Sequence, residues 1–168
     1  MLASYKILTI THRKTPLQAI GQFVIAHSDE VDLKEKLASL QARFGLDELI
    51  YLATCNRVLY FFYTEQPLEN DFKQAFFQTI QPELSAEMIA EHVNLLEGSA
   101  AAEHLFKVAA SIDSLVVGER EILRQLREAY ERCQNWGLTG DHLRLAMQHV
   151  VVAAKEVYGD TRLGEEGE

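Results

Sequence analysis

Ala53-Thr54-Cys55-Asn56-Arg57 is the stretch of this chain best equipped for covalent chemistry. A thiolate is a strong nucleophile, and a nearby cation favours it over the thiol. Arg57 stands close enough in sequence to supply that field, or to grip a carboxylate with its planar fork. Thr54 and Asn56 add short groups that hydrogen-bond. The same residues also fit an inert thiol at a strand end beside a surface arginine, since free cysteine is among the most buried residue types. A second histidine-type candidate, His12, follows an early apolar run. With no acid nearby in sequence it reads as satisfied or solvated rather than catalytic. Cys133 shares a helical face with Ile122, Leu126, Ala129 and Tyr130, and reads as core.

The elements around Cys55 must hold it rigidly. Leu49 to Leu52 and Val58 to Tyr63 are short runs rich in β-branched and aromatic residues, so both read as strands, with Cys55 on the connection between them. Tyr5 to Thr11 reads as an earlier strand and His92 to Leu96 as a short later one. Helical spacing appears from Leu17 to Ile25, interrupted by Gly21, and from Val31 to Phe44, entered through Ser28-Asp29-Glu30 and stopped by Gly45. Further helices are expected from Glu69 to Ile80 and after Ser85. The result is an α+β fold: a small antiparallel or mixed sheet with helices packed on one face. Beyond Gly98 the pattern is almost all helical. Helices over Ala100 to Ala110 and Glu121 to Trp136 lead into a long one from His142 to Tyr158, with a frayed tail expected at 164–168. Residues 1–140 are read as the functional domain and 141–168 as the start of a long connecting helix.

Composition narrows the classes. The chain has 168 residues, 48% apolar and 24% charged, which suits a globular domain with a sizeable core. A formal charge of −9 argues against a broad nucleic-acid surface, though arginines cluster between Arg120 and Arg144. The two cysteines lack metal-site spacing, and no apolar run reaches the roughly 20 residues of a membrane span. The start lacks a signal-peptide pattern, so a reducing, cytoplasmic setting is expected.

Several of these residues, taken in order, resemble the amino-terminal catalytic domain of the glutamyl-tRNA reductase family. They are Thr54-Cys55-Asn56-Arg57, then His104 within His104-Leu105-Phe106-Lys107-Val108-Ala109, then Asp113-Ser114-Leu115-Val116-Val117-Gly118-Glu119, then Ile122-Leu123 and Gln125. The resemblance implies a cysteine that attacks the ester of glutamate charged on its tRNA to give a thioester. Hydride from NADPH then releases glutamate 1-semialdehyde for 5-aminolevulinate and porphyrin synthesis. By that resemblance Cys55 is the nucleophile and His104 a catalytic partner. Thr54, Asn56, Arg57, Ser114, Glu119, Arg120, Glu121 and Gln125 fall at substrate-contacting positions. It further implies glutamyl-tRNA and the aminomutase that takes the semialdehyde as partners, a homodimer in the full-length form, and no metal.

The chain also departs from the family. Where Gly-Glu-Pro-Gln-Ile-Leu-Gly-Gln is common, it reads Gly118-Glu119-Arg120-Glu121-Ile122-Leu123-Arg124-Gln125. No G-x-G-x-x-G occurs, so the nicotinamide site of the family is expected to lie outside these residues, and this stretch is expected to be limited to thioester formation or ester hydrolysis. Two other readings remain. A non-catalytic ligand- or tRNA-binding module would keep the fold and leave Cys55 unreactive. A stand-alone thiol hydrolase would need an orienting group for His104 and a donor pair for an oxyanion.

Overall fold

The computed structural model describes residues 2–12, 15–110 and 121–166, with backbone alone from residue 158. Its elements run β1 (Tyr5–Thr11), α1 (Leu17–Ile20), α2 (Glu30–Phe44), β2 (Glu48–Ala53), β3 (Arg57–Tyr63), α3 (Phe72–Ile80), α4 (Ala86–His92), β4 (Asn94–Glu97), α5 (Ser99–Ala109), α6 (Glu121–Asn135) and α7 (Asp141–Glu166). The strands form one sheet in the order β2-β3-β1-β4, and every pairing is antiparallel.

Local signals set the boundaries. Asp29 caps α2 by accepting from the Asp32 N–H at 2.8 Å, and Ser85 caps α4 by accepting from the Met88 N–H at 3.1 Å. Gly45 ends α2 in the left-handed region at φ 64°, where glycine alone avoids a steric penalty. Gly21 ends α1, and the chain continues as a single 3-10 turn to Phe23.

Strand alternation sends side chains to two faces, and both are covered. One face carries Leu8, Tyr51, Tyr60 and Phe62. Tyr60 packs against Phe76 and Phe77 of α3, and Phe62 against Phe72, with Phe23 bridging to Phe77. The opposite face carries Tyr5, Thr9, Glu48, Ile50, Leu59 and Phe61, and α7 meets it where His142 stacks on Tyr63 with ring centroids 3.8 Å apart. Helix α5 packs on β1, β4, α6 and α7, and α6 lies along β2. The antiparallel sheet and its first helical layer match the expectation from sequence. The later helices add a second layer on the other face, which is why all seven residues of β3 are buried.

The root of α7 is built from β2. Glu48 is 5% exposed, and its carboxylate accepts from the backbone N–H groups of Gly140 (2.5 Å), Leu143 (2.9 Å) and His142 (3.1 Å). These are the orphan donors of a helix start, where negative charge is favoured. The Nδ1 of His142 is 3.0 Å from the same carboxylate, and Tyr5 donates to the His142 carbonyl at 3.1 Å. The β2 edge is closed by a bond from Leu49 N–H to Leu138 C=O at 2.9 Å. At the far end α7 continues to Glu166, past the point where a frayed tail was expected. The two glycines at 159 and 164 weaken a helix without stopping one already propagating.

Candidate active site

The turn between β2 and β3 is a closed unit. The Thr54 N–H donates to the Arg57 carbonyl at 2.9 Å. The Thr54 hydroxyl oxygen accepts from the N–H groups of Asn56 and Arg57, each at 3.2 Å. Thr54 thus fixes the turn from the position next to the thiol. The arrangement leaves Cys55 exposed at the tip. It is not the buried strand-end thiol of the inert reading.

Arg57 is not a surface charge. It is 1% exposed, the largest fully buried side chain of the core. As the first residue of β3 it pairs with Thr11 of β1, and its alternation places it on the sheet face covered by α5, α6 and α7. A buried guanidinium is costly unless an acceptor meets it. It opens β3 two residues after the exposed thiol.

His12 joins this turn from β1. Its N–H donates to the Asn56 carbonyl at 2.9 Å, and its Nδ1 lies 3.3 Å from the same oxygen. A proton on Nδ1 makes that second contact a donor bond and leaves Nε2 as the acceptor. Nε2 is buried with no hydrogen-bond partner among the described residues. Sequence reasoning set His12 aside because it sought an acid neighbour along the chain. The usable signal was its place at the end of a strand adjacent to β3.

The remaining candidates are distributed as follows. His104 is half-buried on α5, within the helical layer on Arg57's side of the sheet. Glu121 opens α6 and is exposed; its carboxylate pairs with Arg124, which also holds Glu128 at 2.7 Å. That ladder is a solvated helix face, formed by the arginine at a position where the family commonly has glycine. Gln125 is half-buried on the same helix. Ser114, Glu119 and Arg120 lie outside the described residues. Cys133 is fully buried on α6, and burial pushes its thiol pKa up. The two thiols therefore differ in access. Among the described residues no group of three or more His, Cys, Asp or Glu could hold a metal, and no helix is long and apolar enough to cross a membrane.

Comparison with known proteins shows the family of the chain. Residues 8–161 match the family described as glutamyl-tRNA(Glu) reductase, N-terminal domain. The chain belongs to that family. The glutamyl-tRNA reductase of Thermodesulfovibrio yellowstonii is 33% identical over 165 residues, covering 95% of this chain and 38% of the relative. The Desulfotalea psychrophila enzyme of the same name is 35% identical over 157 residues, covering 92% of this chain and 35% of the relative. The solved glutamyl-tRNA reductase of Methanopyrus kandleri shares the fold, with a TM-score of 0.73 at 24% identity across 95% of this chain and 35% of that one. This glutamyl-tRNA reductase domain thus spans about a third of the length of such relatives. NADPH, which the family name implies for reduction, does not fit the described residues. Their sheet is wholly antiparallel, so it lacks the parallel crossover and glycine-rich turn that cradle a dinucleotide.

Proposed function

We propose that this domain carries out the acyl-transfer half of glutamyl-tRNA reduction. The Cys55 thiolate attacks the carbonyl carbon of the ester joining glutamate to its tRNA. A sulfur–carbon bond forms, the carbon–oxygen bond to the ribose breaks, and the ribose oxygen takes a proton as it leaves. Arg57 receives the side-chain carboxylate of glutamate. Thr54, Asn56, Ser114, Glu119, Arg120, Glu121 and Gln125 are proposed to fix the glutamyl group, and His104 to move the proton. Reduction of the thioester by NADPH, a homodimer, and hand-over of the aldehyde to an aminomutase belong to the full-length protein in this reading, which is proposed to act in the cytoplasm.

The observation that supports the proposal is an exposed thiol on a hydrogen-bonded turn two residues before a buried arginine that opens β3. Incubation with tRNA charged with labelled glutamate tests it. The wild-type chain takes up label that hydroxylamine releases, and Cys55→Ser takes up none. Equal label on both proteins would refute the thioester.

A further inference from the structure

The turn that carries Cys55 is tied to β1 through His12. The bonds of Thr54, to the N–H groups of Asn56 and Arg57 and to the Arg57 carbonyl, lie inside the turn and fix its shape. Bonds internal to a turn leave its tilt against the neighbouring strand free. The ladder between β1 and β3 ends at the pair Thr11 and Arg57, and the next residue on each strand supplies the tie. The Asn56 carbonyl accepts from the His12 N–H at 2.9 Å and lies 3.3 Å from the His12 Nδ1. His12 is held from behind in turn. The Thr15 N–H donates to the Thr11 carbonyl at 3.0 Å, and the buried Thr15 hydroxyl lies 2.9 Å from Nδ1 of the buried His92.

A carbonyl oxygen only accepts, so the ring proton sits on Nδ1, and the oxygen's two lone pairs take one donor each. Almost any residue supplies the main-chain donor; the second comes from the side chain. The imidazole carries a cost, because its Nε2 is buried with no hydrogen-bond partner among the described residues. Leucine would pack at this half-buried position without that cost. A histidine here is explained by what Nδ1 does for the turn. The residue it grips, Asn56, directly follows the thiol in the chain. Reacting atoms in an acyl transfer meet at about 3–3.5 Å with their orbitals aligned, and a misplacement of about 1 Å costs up to about a hundredfold in rate.

We infer that His12 is a positioning residue for the thiol: its Nδ1–H holds the Asn56 carbonyl and so sets the direction from which Cys55 meets the ester, an inference that rests on the thioester function proposed above. The test mixes the whole chain with rising concentrations of tRNA charged with labelled glutamate, and reads the limiting rate of Cys55 labelling separately from the half-saturating concentration. His12→Leu lowers the limiting rate by about tenfold and leaves the half-saturating concentration within about twofold of wild type. His12→Asn, whose amide N–H stands where Nδ1 does, labels within about threefold of wild type, whereas His12→Gln, whose N–H falls at the Nε2 position, labels as slowly as His12→Leu. Alkylation of Cys55 by iodoacetamide stays within about twofold of wild type in all three, because the thiol is exposed and its own chemistry is untouched. A wild-type limiting rate in His12→Leu overturns the inference. So does a loss that His12→Asn leaves unrecovered, one that His12→Gln recovers equally, or one matched by slower alkylation. If His12→Leu does not fold, the contrast between His12→Asn and His12→Gln decides alone. A wild-type chain that takes no label overturns the thioester function and this role with it, whereas a labelled wild type beside an equally labelled His12→Leu overturns this role alone.

Discussion

Replacing Glu48 with glutamine isolates the joint between β2 and α7. The isostere keeps a carbonyl oxygen for the N–H groups of Gly140 and Leu143, but turns an NH2 group toward the N–H and Nδ1 of His142. One to two charge-assisted bonds are lost, each contributing about 1.5–3 kcal/mol net, together with a favourable charge at a helix N-terminus of about 0.3–1 kcal/mol. Relief of the carboxylate's own desolvation offsets part of this. The expected loss is about 2–3 kcal/mol, which lowers the melting temperature by about 4–12 °C for a domain of this size. Denaturant unfolding at neutral pH measures it, with an unchanged slope showing that the unfolded state is not the cause. Since the contacts span 94 residues of sequence, a stability within about 0.5 kcal/mol of wild type would mean that this carboxylate does not hold the helix root, and the account of α7 would be wrong.

Other perturbations test the site and the core. Native protein treated with a thiol reagent at pH 8 modifies Cys55 quickly, and Cys133 reacts on unfolding, because one thiol is exposed and the other is buried with its pKa raised. Burial also holds the Tyr60 phenol well above its ordinary value. Both groups keep their protons longer when folded than when unfolded. Their contribution is therefore complete below the unfolded values and is lost as pH rises past about 8.5 for the thiol and about 10 for the phenol, a decline that denaturant titration from pH 7 to 11 reads directly. Arg57→Lys keeps the charge but loses the fork, so labelling by glutamate-charged tRNA falls at least about tenfold while far-ultraviolet circular dichroism is unchanged.

The parts of the fold that rest on local chemistry were legible in the residues. Tyr5 to Thr11 and the runs flanking Cys55 are strands because their side chains suit a pleated, buried surface, and Asp29, Gly45 and Ser85 mark helix ends by backbone chemistry within a few residues. What escaped depends on partners distant in sequence. An arginine two positions after a cysteine carries no mark of burial, and Arg57 is buried only because the helices after β4 return to its face of the sheet. Glu48 reads as a polar strand start until Gly140 and Leu143 arrive to need an acceptor. Thr9 and His12 looked ordinary for the same reason: an unpaired atom is visible only when its surroundings are packed.

Peptide mapping by mass spectrometry after exposure to glutamate-charged tRNA and an acid quench addresses the central claim most directly. A glutamyl adduct on the peptide containing Cys55, absent when the sample is first treated with hydroxylamine, is the result expected of the exposed thiol as nucleophile. An adduct on Cys133, or none on either cysteine while the charged tRNA stays intact, would contradict it.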